Sequence, residues 1–295
     1  MLAYRPCLCM LVFTMPRKGQ NVGPYQLSGL IGSGGTSEVF AAEDTRSGRG
    51  VALKVLREEH LGHPEVVLRF LNETLPLPLR EFRHPCILEV LETSPPDVSP
   101  PYHAVEIMRG SLARRLSDGA LAVSTALRLT RQTAEALDAL HHQGIIHRDV
   151  KPSNLLLNDE ADDLMSIKLS DFGLARFPDG VIGSLPVSTA EGTRLGTPDY
   201  MSPEQWENAR AVGGAADVYS LGCTLYQMLS GRRPFVGESD ARLRRQHLLA
   251  EPPPMDKSIP MGVRSLVADM MAKPAYRRPT ARDVVARLLS LAGTR

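Results

Sequence analysis

Apolar and polar positions alternate along Tyr25–Phe40, YQLSGLIGSGGTSEVF, on both sides of a cluster of glycines, Gly32, Gly34 and Gly35. A period of two predicts two strands joined by a glycine turn. Val51-Ala52-Leu53-Lys54-Val55 predicts a further strand. The period then changes: Pro64 suits a first helical turn, and Val66, Phe70 and Glu73 fall on one helical face. Pro76 and Pro78 should end that helix, since proline removes a backbone donor and turns its predecessor away from helix. Val123–His142 predicts a long amphipathic helix with Leu127, Thr130, Ala134, Leu137 and His141 on its stripe, Ser124 as N-cap and Gly144 as stop. Leu155–Leu157, a polar turn through Asn158-Asp159-Glu160 and Ile167–Leu169 predict a β-hairpin, and a last helix is expected over Ala281–Leu291.

Two features break this pattern. The first is Lys54, a lysine in the middle of an apolar strand, which either snorkels to water or meets an anion inside. The glycine turn upstream makes a nucleotide phosphate the natural anion, because backbone N–H groups without a Cβ can approach it closely. A dinucleotide-binding βαβ unit is excluded, since strand and not helix follows the glycines. The second is HRDVKPSN, residues 147–154, which crowds polar chemistry between Gly144-Ile145-Ile146 and Leu155-Leu156-Leu157. Asp149, Pro152, Ser153 and Asn154 would suit a plain solvated turn. Its flanks, a packed helix and a hairpin, are instead those of a loop held on a rigid scaffold, where catalytic groups sit.

Composition narrows the field further. A formal net charge of +1 over 295 residues lends no support to a nucleic-acid or acidic-membrane partner. No run of eighteen apolar residues predicts a membrane span. Cys7, Cys9, Cys86 and Cys223 lack the paired spacing of a zinc or redox site, and free thiols fit a reducing, cytoplasmic setting. Cys7-Leu8-Cys9 could bind a metal only with partners that the neighbouring sequence does not supply. Residues 1–24 are expected to lie outside the domain, as a disordered extension or as a start-site artefact with translation beginning at Met15. A signal peptide fits poorly, with Pro6 in the apolar run and Arg5 as its single early charge.

The glycine loop, VALKVL, HRDVKPSN, Asp171-Phe172-Gly173 and Ser202-Pro203-Glu204 stand in an order that resembles a eukaryotic-like serine/threonine protein kinase of bacterial style. The resemblance runs from about Tyr25 to the C-terminus. It implies an α+β, two-lobed fold: a small antiparallel β N-lobe with one helix over residues 25–107, and a larger, mainly helical C-lobe over 108–295. It implies Mg-ATP as co-substrate, proteins with Ser or Thr acceptors as partners, and a transient homodimer for trans-autophosphorylation.

Site roles follow from the same resemblance. Asp149 would orient the attacking hydroxyl and accept its proton, Lys151 would stabilise γ-phosphate charge, and Asn154 and Asp171 would hold Mg2+. Lys54 would pair with Glu73. Gly32, Ser33, Gly34 and Gly35 would cover the phosphates, while Ile31, Val39 and Ala52 sandwich adenine. Val105 stands at the gatekeeper position, with the backbones of Glu106 and Met108 facing the base. His147 is expected to pack structurally rather than move protons. Glu204 would pair with Arg278, and Asp217 opens the large buried helix, with Tyr219 where tryptophan is usual. Arg148 would meet a phosphate on the activation segment, borne on Thr189, with Ser188 and Thr193 next and Ser184 also available. Glu191 is the alternative permanent partner, and Thr197 is expected to bridge Asp149 and Lys151.

Three departures qualify the match. Ser37 replaces the third glycine, the stretch from Glu73 to His84 is about two residues longer than usual and carries two prolines, and Arg109 stands where an acidic ribose contact is usual. An exposed, unpaired Glu73 is the alternative to the Lys54 pair. Two other functions stay open: a pseudokinase that binds nucleotide and signals by conformation, and a small-molecule phosphotransferase. The presence of Lys54, Asp149, Asn154 and Asp171 counts against the first, and the peptide-receiving GTPDYMSPE segment against the second.

Overall fold

The computed structural model describes residues 18–71, 82–95, 97–159, 161, 164–177, 197–208 and 212–293. They form two compact units, one from 18–71 with 90–107, the other from 82–89 with 108–293. Glu73, Pro76, Pro78, Ser184, Ser188, Thr189, Glu191, Thr193, Cys7, Cys9 and Met15 lie outside the described residues.

The first unit is a six-stranded antiparallel sheet in the order β1-β2-β3-β4-β6-β5. Its strands are β1 (Asn21–Val22), β2 (Tyr25–Ser33), β3 (Ser37–Asp44), β4 (Gly50–Leu56), β5 (Val90–Thr93) and β6 (Tyr102–Val105). Register assigns the two faces. Phe40 pairs with Leu53 and Ala42 with Val51, and these four join Tyr25 and Leu27 in the core. Directly opposed residues share a face, so Val39 with Lys54 and Ala41 with Ala52 occupy the other one. One row runs Gly32, Val39, Lys54, His103 across four strands. α1 (Pro64–Leu71) buries Phe70. The His103 ring stacks on Phe70 at 4.5 Å and its Nε2 lies 2.7 Å from the Phe70 carbonyl, which ties the helix end to the sheet.

The second unit holds a small sheet of β7 (Gly110–Ser111), β8 (Leu155–Leu157) and β9 (Ile167–Leu169), and the helices α2 (Leu112–Leu116), α3 (Val123–His142), α4 (Pro203–Asn208), α5 (Gly214–Ser230), α6 (Asp240–Leu249), α7 (Met261–Met270) and α8 (Ala281–Gly293). Residues 82–89 fall before the expected boundary at 107/108 yet pack here: Ile87 bridges Leu169, and Leu88 N–H donates to the Leu169 carbonyl. α3 spans the expected residues, but its N-cap is Ala122, not Ser124, with no side-chain cap. Gly144 follows its end at φ +71°, which glycine supplies without strain. The expected stripe is too narrow, because α3 packs on α5, α8 and β9 at once and so also buries Ala126, Leu129, Ala136 and Leu140. α8 starts on a capping box, in which Thr280 and Asp283 bond each other's backbone N–H.

Tyr219, in tryptophan's usual place, lies in a buried polar cluster. Its hydroxyl lies 3.0 Å from Nδ1 of His247 and 3.4 Å from Lys273 Nζ. An indole can donate but not accept, so it could not serve both neighbours. Burial first, and Lys273 second, push the His247 pKa down to about 3; burial pushes Lys273 down to about 8. An unfolded chain protonates this histidine near ~6.5, whereas the folded chain keeps it neutral. Its contribution to stability is therefore full above that pH and falls away as pH drops toward 3. Between pH 7.5 and 5, Tm is expected to fall further in the wild type than in His247→Phe; parallel falls would show that His247 does not govern the acid limb.

Candidate active site

In the first unit the glycine turn is bare by choice rather than by need. Gly34 and Gly35 have no positive φ, and a Cβ added at Gly34 would come no closer than 3.5 Å to Ser37 O, while one at Gly35 would meet nothing. The hairpin could carry side chains there, so the exposed backbone leaves room for something approaching from outside. Gly34 N–H closes the turn on the Ser37 carbonyl at 2.8 Å. The Ser33 hydroxyl oxygen accepts from the Arg57 guanidinium at 2.5 Å. On the same sheet Lys54 Nζ sits 5.9 Å from the Phe70 ring centroid. Ala52 is buried, Val39 half-buried and Ile31 exposed. Val105 ends β6 and pairs with both Ala52 and Val90; Glu106 follows it, and Met108 begins the second unit.

In the second unit the loop after α3 is held from below by Asp217 of α5, whose side chain is fully buried. Its two oxygens accept the backbone N–H of His147 at 2.9 Å and of Arg148 at 2.7 Å, with His141 Nε2 at 2.8 Å. Gln205 donates to the Arg148 carbonyl at 2.9 Å. These bonds hold Arg148 at φ +67°, a left-handed conformation that a non-glycine residue adopts only when its surroundings compensate. Burial, then the Arg176 charge, lower the Arg148 pKa, and Asp217 partly offsets them. His147 takes the Asp149 N–H on Nδ1 at 3.3 Å and reaches the Ser170 carbonyl with Nε2 at 3.1 Å, 5.1 Å from the Phe172 ring. With both ring nitrogens bonded, it orients the loop and has none left for proton transfer.

Asp149 is surrounded by donors. Oδ1 accepts from the Thr197 N–H at 3.2 Å and its hydroxyl at 3.1 Å. Oδ2 accepts from Lys151 Nζ at 2.7 Å and Asn154 Nδ2 at 3.0 Å. Lys151 also donates to the Thr197 hydroxyl at 2.5 Å, so Thr197 joins the pair. With Nδ2 given to Asp149, the Asn154 amide turns its Oδ1 away, as a hard cation's ligand must. Ser170 bonds the Asn154 carbonyl through both N–H and hydroxyl, bringing the following Asp171 beside Asn154. Asp171 sits at φ +69° with Oδ1 3.3 Å from Gly173 N. An amide oxygen and a carboxylate on adjoining backbones are a donor set that fits Mg2+.

Further along the chain Arg278 is fully buried and makes a bidentate pair with Glu204, 2.7 and 2.9 Å. Its remaining donors meet the carbonyls of Ala272, Ala215 and Lys273. Arg109 sends its backbone N–H to the Leu157 carbonyl. The sequence reading missed Gln205, His141, Arg57 and His60. For Gln205, its place one residue after Ser202-Pro203-Glu204 is the only signal.

A protein kinase domain model matches residues 25–289. The chain is 37% identical over 277 residues to a probable serine/threonine-protein kinase of Corynebacterium efficiens, covering 90% of this chain and 40% of that protein. It is 35% identical to the serine/threonine-protein kinase PknB of Mycobacterium leprae, covering 90% and 42%. With the serine/threonine-protein kinase PknA of Mycobacterium tuberculosis it shares 36% identity, covering 89% and 60%. The chain thus spans about 40 to 60% of the length of these relatives. All three carry the names of kinases, and the pseudokinase alternative finds no support among them.

Proposed function

Because the chain belongs to the protein kinase domain family, we propose that it is a serine/threonine protein kinase that moves the γ-phosphate of Mg-ATP to protein hydroxyls. The observation that carries this reading is the Asp149 carboxylate, fixed by Lys151, Asn154 and Thr197 in a loop that Asp217 anchors. Asp149 would accept the proton of the acceptor Ser or Thr, Lys151 would face the transferring phosphoryl group, and Asn154 Oδ1 with Asp171 would hold Mg2+. Bound Mg2+ supplies neutralisation of the phosphate charge. On the first unit, Lys54 and the backbone from Gly32 to Gly35 would meet the phosphates, while Ile31, Val39 and Ala52 would pack on adenine and Glu106 would bond its edge; Met108, the first residue of the second unit, would bond it too. The Glu73 pair with Lys54 and the phosphosites belong to the proposal and lie outside the described residues.

Among the described residues no helix is long and apolar enough to cross a membrane. The buried free thiols Cys86 and Cys223 suit the cytoplasmic location we propose. Trans-autophosphorylation would pass through a transient pair of chains.

The test is incubation of the purified protein with labelled ATP and Mg2+, alone and with a general protein substrate, followed by phosphosite mapping. Label is expected on substrate Ser and Thr and on Thr189, with Ser188 and Thr193 next. Absence of transfer to any hydroxyl would refute the kinase reading. Transfer without label on the segment, slowed only by Glu191→Ala, would replace the phosphate switch by a built-in carboxylate facing Arg148.

A further inference from the structure

We infer that Arg57 and His60 form a latch that orients the phosphate-binding turn, a role that rests on the kinase reading above. Both lie just after β4, in and before the short helical turn Glu58–His60, and neither belongs to the glycine cluster. From there they reach the hairpin tip at successive points. The Arg57 guanidinium donates to Ser33 Oγ at 2.5 Å and lies 3.7 Å from Glu38 Oε1; its backbone N–H donates to the Thr36 carbonyl at 2.9 Å. His60 Nε2 lies 3.1 Å from the Gly35 carbonyl.

The contact to Gly35 matters most for chemistry. In a trans peptide the carbonyl of Gly35 and the N–H of Thr36 point in opposite directions. Holding the carbonyl toward His60 therefore turns the Thr36 N–H outward, where a phosphate oxygen could accept it. The Gly34 N–H bond to the Ser37 carbonyl fixes the first peptide of the turn, but the peptides on either side of Gly35 have a glycine's freedom to rotate, and ordering them on binding would cost affinity. Ser37, in the place of the third glycine and buried, removes some of the same freedom on the β3 side. Arg57 fixes the β2 side through Ser33. The latch thus prepays the ordering of the donors, and its effect should fall on nucleotide affinity.

Titrating Mg-ATP into the purified chain and its variants by calorimetry tests this, with KM values for ATP and for a protein substrate measured beside it. His60→Ala and Arg57→Ala are each expected to weaken Mg-ATP binding about fivefold, the scale of one hydrogen bond. KM for ATP should rise in step, and KM for the protein substrate should not. His60→Gln, whose amide can donate to the same carbonyl, should recover binding to within about twofold. Unchanged affinity in both alanine variants overturns the latch and leaves the kinase reading standing. So does a loss that His60→Gln fails to recover and that comes with a lowered Tm. A wild-type chain that takes up no Mg-ATP overturns both together.

Discussion

Asp149→Asn is expected to lower the rate of phosphoryl transfer by about 10²–10⁴-fold, the range a positioned general base contributes. The substitution is nearly isosteric, yet it cannot be neutral. Both carboxylate oxygens face donors: the Thr197 N–H and hydroxyl on one side, Lys151 and Asn154 on the other. Whichever way the new amide turns, its NH2 group confronts donors, and no basic oxygen remains to take a proton. Binding of Mg-ATP should change far less than kcat, since the lysine and glycine turn assigned to the phosphates are on other elements. Steady-state kinetics with calorimetric binding separate the two. A variant within tenfold of wild-type kcat would remove Asp149 from the role of base. Lys54→Met and Asp171→Asn should likewise abolish transfer with the fold intact.

Arg278→Ala is expected to cost about 3–5 kcal/mol of stability, the scale of breaking a buried ion pair from one side. The side chain is fully buried and spends its donors on Glu204 and three carbonyls, with the guanidinium carbon 4.8 Å from the Tyr219 ring centroid. Removal leaves a carboxylate and three carbonyls short of partners in a space that water fills poorly. Thermal unfolding should show a drop in Tm on the order of 10 °C. Arg278→Lys should recover little, because an ammonium cannot reproduce the planar fork. A Tm within 2 °C of wild type in the alanine variant would contradict the assignment of this pair as an anchor.

The sequence was most legible where local periodicity and chemistry agreed. The glycine hairpin, the strand carrying Lys54, the span of α3 and the β8–β9 hairpin all stand where apolar spacing placed them. The loop residues 147–154 were legible as chemistry because so many polar groups between apolar runs require a reason. What holds that loop was less so. The resemblance marked Asp217 as the opening of a buried helix, but periodicity reveals a residue's face and not its partner, so its bonds to His147 and Arg148 some 70 positions away were hidden. Gln205 was hidden for the same cause, and His141, placed on its helix stripe, gave no sign of its bond to Asp217. Ser124 misled because a good capping residue stood two places inside the helix. Tyr219 read as a departure, and only its contacts with His247 and Lys273 give the reason.

The pairing of Glu204 with Arg278 spans 74 positions, and it constrains the order of events during synthesis. At ribosomal speeds of roughly 5–20 residues per second, about 4–15 s separate the appearance of the two partners. Until Arg278 is made, Glu204, which ends the segment running on from Thr197, lacks its fixed counter-charge. Thr197 is the group that completes the donor shell of Asp149. A nascent chain would therefore hold its catalytic loop with an unfinished wall, so competence would follow the appearance of Arg278 in one step and would not grow gradually as the chain lengthens.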